Sequence, residues 1–198
     1  MKALQSLSFD ALRVLWIKYM LINANPALVD PEYSDACFAR SYYLNLIEKE
    51  WNRRSLANGP TDYFKWPSTE AKHGNGQIDS SNWITNGLLK FMDYQVGNSS
   101  TYTTSQRQAL LSIVFQMEIP PVFPVEYINQ FGKPSSSNRL QKIAESIAAF
   151  TRNAKRKSHD MHAAIQDWEE DLNWLYHTFY VGRFKFSWPK TGTPTSKA

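Results

Sequence analysis

Apolar positions recur with helical period along most of this chain, and most regularly between Pro134 and Tyr180. At about 100° per residue, Leu140, Ile143, Ile147, Phe150 and Ala154 fall on one arc, with Gln141, Glu145, Arg152, Lys155 and Arg156 opposite. Ser136 or Ser137 suits the start of that helix, because a hydroxyl accepts from the free amides of a first turn. Lys155, Arg156 and Lys157 fall at its C-terminal end, where the helix dipole favours cations. A second stripe follows: Met161, Ala164, Ile165, Trp168, Leu172, Leu175 and Phe179. Ser158 or Asp160 suits its cap, and Asp167, Glu169 and Glu170 project away from the stripe. With so short a connection at 157–160, the two helices are expected to form an antiparallel hairpin.

The same reading extends upstream. A helix is expected over 3–22, with Leu4, Leu7, Ala11, Val14 or Leu15, and Leu21 inward, stopped by Asn25-Pro26. Asp30-Pro31 suits the start of a second helix reaching about Ala57, which buries Cys37, Tyr43 or Leu44, Ile47 and Trp51. Residues 61–82 have no sustained period and read as an irregular loop. Ser80 or Ser81 would cap a helix through Trp83, Leu88, Leu89 and Met92. Ser105 would cap another from Gln106 to Met117, with Leu110, Leu111, Val114 and Phe115 inward. The Ile119-Pro-Pro-Val-Phe-Pro segment is expected to be extended, as a spacer or docking edge, before a short helix from Glu126 to Phe131. Phe64-Lys-Trp-Pro-Ser-Thr is echoed by Phe186-Ser-Trp-Pro-Lys-Thr, and the alternation at 183–188 allows a small two-stranded pairing of residues 63–67 with 183–188.

The pattern predicts a mainly α fold: a single helical domain over 1–189, of about six to seven helices. It divides into a helix pair (1–60), the loop (61–82), middle helices (83–131) and the hairpin (134–180), with a disordered tail at 190–198. Hydrophobic residues at 42% and charged residues at 20% are a globular balance. The single cysteine, Cys37, excludes an internal disulfide framework and points to a reducing, cytoplasmic setting. No run approaches the ~18 apolar residues of a membrane span, so no membrane partner is expected.

Charge changes the picture. Residues 1–132 hold 11 Lys and Arg against 12 Asp and Glu, whereas residues 133–198 hold 11 against 6. Within 133–157 the balance is 7 against 1. Such a local excess is the electrostatic footprint of a surface for phosphate backbones. Arg139, Lys142, Arg152, Lys155, Arg156 and Lys157 are the candidate contacts, with Arg183 and Lys185 as a second edge.

Few residues suggest chemistry. Arg152-Asn153-Ala-Lys-Arg-Lys-Ser-His159 resembles the Arg, polar residue, short spacer, His signature of the HEPN superfamily of helical ribonucleases. That resemblance implies metal-independent cleavage of RNA, with Arg152 and His159 polarising the scissile phosphate and Asn153 beside them. Asp62 with Glu70-Ala-Lys72 superficially resembles a restriction-type nuclease motif, but lacks the apolar strands that would converge its carboxylates on a metal ion. His159 and His162 lack the further ligands of a metal site, and no phosphate-cradling glycine loop is present. Neither a cofactor nor a resident metal is therefore expected. These features predict a nucleic-acid-binding or accessory subunit that uses the basic helix end on DNA or RNA backbone without catalysis. Two alternatives stand beside it. One is a protein–protein adaptor or homodimer using the Pro-rich segment and aromatics such as Trp174 and Tyr180, and the other is the ribonuclease.

Overall fold

A computed structural model describes residues 2–21, 34–58, 87–123, 125–157 and 160–192. Among them all regular structure is helical, and 183–188 forms no strand. The α-helices are α1 (Lys2–Gln5), α2 (Phe9–Leu21), α3 (Ser34–Asn58), α4 (Leu88–Phe91), α5 (Thr104–Gln116), α6 (Val125–Phe131), α7 (Ser137–Lys155) and α8 (His162–Leu175). A π-helical turn, Tyr176–Tyr180, continues α8. No helix among the described residues is long and apolar enough to cross a membrane. The loop at 61–82, the partner segment at 63–67, the Ser80 or Ser81 cap, the Cys37 side chain and His159 lie outside the described residues.

The chain clusters into two compact units. The first comprises residues 1–93 and 119–128. Its core is aromatic: Trp16, Trp51 and Phe91 meet with ring centroids at 5.9–6.0 Å. Phe91 packs edge-on against Phe123, which stacks on Tyr127. The expected single helix at 3–22 is broken between α1 and α2, because the Ser8 hydroxyl accepts from the Ala11 amide and starts a new helix. Arg54 closes that corner by donating to the carbonyls of Leu4, Gln5 and Leu7. Tyr43 is exposed rather than inward, whereas Ile47 and Trp51 are buried. The proline segment is a turn, not an extended spacer: the Phe123 amide donates to the Pro120 carbonyl, and Ile119, Val122 and Phe123 are buried.

The second unit comprises residues 94–118 and 129–198. Here α7 and α8 form the antiparallel hairpin, and α5 packs against both. Thr103, not Ser105, caps α5, because Gln106 completes a reciprocal capping box with it. Ser136 caps α7 and Gly132, at φ +76°, precedes it; the Asp160 carboxylate accepts from the first amide of α8. The buried face of α7 is Leu140, Ile143, Ala144, Ile147, Ala148, Thr151 and Ala154, centred about 40° from the arc the large apolar residues define. Phe150 therefore sits at its margin, 42% exposed, with its ring 6.0 Å from Trp168. The cause is steric: Ala144 and Ala148 let a second helix approach, so the small side of α7 turns inward.

Candidate nucleic-acid interface

Two of the hairpin's charges are drawn wholly inside. Arg139, in the first turn of α7, is 1% exposed. Its guanidinium donates to the carbonyls of Val114 and Met117 at the end of α5 and of Phe131 and Gly132 at the end of α6. The last carbonyls of a helix lack intrahelical donors and carry its negative pole, so a buried cation there satisfies both needs. The sequence reading of Arg139 as a phosphate contact is corrected: its donors are engaged within the fold.

Arg107 on α5 is 3% exposed and meets three carboxylates of α8: Asp167 at 3.1 Å, Glu170 at 3.2 Å and Asp171 at 2.9 Å. Asp171 is fully buried and also accepts from the Tyr94 hydroxyl at 2.7 Å, while Asp167 accepts from the Gly97 amide. Burial pushes the Asp171 carboxyl above its usual range, against the opposing pull of Tyr94 and Arg107. Burial, followed by the neighbouring Asp171 charge, raises the Tyr94 hydroxyl well above its ordinary value. Of the acids expected to project away from the stripe, Asp167 and Glu170 reach Arg107, with Glu170 still about half exposed, and Glu169 turns to Lys155.

The remaining candidates lie at the surface. Arg156, Lys157, Arg183 and Lys185 are exposed. Lys155, exposed too, pairs with Glu169 at 2.6 Å. Lys142 is half-buried on α7, about 15 Å along the helix axis from Arg152, and does not join the others. Asn153 is exposed, and Arg152 is half-buried, its guanidinium donating to the Lys190 carbonyl at 2.7 Å.

That last bond ties the two basic edges together. After the π turn the chain doubles back along α8. The Tyr180 hydroxyl donates to the Phe186 carbonyl, Trp188 stands edge-on to Tyr176 at 5.3 Å, and the Thr191 hydroxyl donates to Glu169 at 2.8 Å. Residues 190–192, expected to open a disordered tail, pack on α8 and α7 instead. Arg183 and Lys185 therefore begin a strip that continues through Lys190 to Arg152, Arg156 and Lys157. Glu169 on α8 and Tyr180 at the end of the π turn mark its course. The hydrogen bond from Lys155, with that from Thr191, holds the Glu169 carboxyl below its usual range against the effect of burial.

Aromatic rungs accompany the returning segment. Tyr176 stacks on Tyr180 at 5.1 Å, Phe186 packs on Tyr180 at 4.8 Å, and Phe186 stacks on Trp188 at 5.8 Å. All four are half-buried. Their signal was the alternation of Phe184, Phe186 and Trp188 with Arg183 and Lys185, read as a strand rather than as a ladder of rings beside cations. Trp174 is half-buried, edge-on to Phe179 at 5.4 Å. No cluster of three metal-ligating side chains occurs among the described residues. No protein-family model, curated protein or solved structure matches the chain.

Proposed function

We propose that this protein binds the phosphate backbone of nucleic acid through the strip formed by the end of α7 and the returning C-terminal segment. The observation that carries the reading is the Arg152–Lys190 bond, which brings two separately basic segments onto one surface. Residues 181–192 contribute Arg183, Lys185 and Lys190 and no acid. Arg107 and Lys155 offset two of the four acids of α8, so these acids oppose that field less than four solvated carboxylates would. Cations on one side of a small domain attract a polyanion and release its counterions on binding.

The test is retention on heparin and affinity for DNA and RNA as salt is raised. Four or five neutralised phosphates give a log K versus log salt slope of about −3 to −5. Exchanging Arg156, Lys157 and Lys190 together for Glu reverses exposed charges whose side chains make no ion pair among the described residues, so the fold is kept. That variant is expected to lose retention. Unchanged binding overturns the reading.

A further inference from the structure

Between α8 and the returning segment lies an open cleft of about 460 Å³. Leu172, Tyr176, Trp188 and Pro189 supply its apolar lining, and Glu169 and Asn173 its polar groups. The volume falls in the range of small-ligand sites. The Tyr176 and Trp188 rings meet edge to face at 68°, Tyr176 stacking on Tyr180 and Trp188 on Phe186. Asn173 is exposed, and its amide makes no hydrogen bond among the described residues. Lys155 and Thr191 both donate to Oε1 of Glu169, which leaves Oε2 as an acceptor. Lys190 lines the cleft, and its backbone carbonyl holds the Arg152 guanidinium beside it.

Flat rings, an unpaired amide and carboxylate oxygen, and adjoining cations match a planar heterocycle carried on a phosphate chain. We infer that the cleft receives one unpaired nucleobase of a single-stranded nucleic acid. The base stacks on Trp188 with Tyr176 at its rim, its polar edge meets Asn173 and Glu169, and its flanking phosphates lie on the basic strip. This rests on the backbone-binding reading above and adds the requirement for an unpaired base. A duplex keeps its bases in the stack and cannot fill the slot without paying to unpair them.

Fluorescence anisotropy decides, with four probes: a short labelled single strand, the same strand without bases, a duplex of the same sequence, and nucleoside monophosphates as competitors. Wild type is expected to prefer the single strand over the duplex and over the abasic strand by about ten-fold, the scale of one base–aromatic stack. Trp188→Ala removes the platform and should weaken single-strand binding by about ten-fold, with abasic-strand and heparin binding retained. Asn173→Leu swaps the amide for an isosteric apolar group at an exposed helix position, removing the base-edge contact without disturbing the core, and it decides the matter should Trp188→Ala lose heparin retention through misfolding. Wild-type affinity of Asn173→Leu for the single strand, with heparin binding intact, overturns the base slot and leaves the backbone reading standing. A wild-type protein that retains neither strand, duplex nor heparin overturns both. Monophosphates that compete as well as the strand, base for base, assign the cleft to free nucleotides and overturn the strand proposal.

Discussion

Replacing Arg139 by alanine tests whether this residue belongs to the fold or to the surface. Its guanidinium donates to four carbonyls, at 3.2 Å (Phe131), 3.0 Å (Val114), 3.0 Å (Met117) and 2.6 Å (Gly132). A single hydrogen bond to a charged group is worth about 1.5–3 kcal/mol net. Four on one guanidinium do not add, and the scale for removing one partner of a buried charged group is about 3–5 kcal/mol. We therefore expect Arg139→Ala to cost about 4 kcal/mol, leaving carbonyls dry and a side-chain void beside them. For a chain of this size that lowers the thermal midpoint by about 8–16 °C. Arg139→Lys should recover less than half, because an ammonium on a narrower stem cannot reach two helix ends with a planar fork. Circular dichroism in urea and on heating measures both. At temperatures where the variant remains folded, nucleic-acid affinity and its salt slope should equal those of wild type. A midpoint within about 2 °C of wild type refutes the structural role. A slope reduced by about one unit returns Arg139 to the interface.

Glu50 is held at a pKa of about 2, first by the hydrogen bond from Arg53 and also by Arg54, against the effect of burial. Because this lies below the ordinary 4.5, its stabilisation is complete above about 4.5 and disappears as pH falls toward about 2. The whole shift corresponds to about 3 kcal/mol, which screening at half-exposed Arg53 reduces to about 1–2 kcal/mol. Urea titrations of wild type and Glu50→Gln should differ by that much near neutrality and converge in acid, and a difference that persists unchanged in acid contradicts it. Gly97 stands at φ +75°, and a Cβ there would come within 3.1 Å of the Ala164 side chain and 3.3 Å of its backbone. Gly97→Ala should cost about 2 kcal/mol or more, read as a shifted urea midpoint at unchanged slope.

The helices were legible because each buries a stripe that shows at helical spacing: Leu110, Leu111, Val114 and Phe115 are all inward, as their positions require. What misled was local. In Thr103-Thr104-Ser105, three residues could cap, and only the return bond from Gln106 selects Thr103. The break at Ser6–Ser8 was hidden because Leu4, Leu7 and Ala11 keep the period through it. The rotation of α7 was invisible in hydrophobicity, since alanine and threonine carry little of it and yet mark the side of closest approach.

The buried charges were the larger loss, and they did leave a trace. Arg107, Leu110, Leu111 and Val114 stand at i, i+3, i+4 and i+7, so Arg107 occupies an inward position of α5. Asp171 is likewise four residues before Leu175 and seven after Ala164, on the inner stripe of α8. Two opposite charges on the inner stripes of two helices are tolerable only as a pair, because either one alone would bear the full cost of leaving water. Taken as surface residues, the four acids of α8 would face the basic end of α7 across the hairpin and weaken its attraction for a phosphate chain. Arg107 and Lys155 offset two of those four charges, so α8 subtracts less from the field of Arg152, Arg156, Lys157 and the returning segment than four solvated acids would. The interior pairing thus lessens what α8 takes from the exterior field, and a count of charges along the chain cannot distinguish the two arrangements.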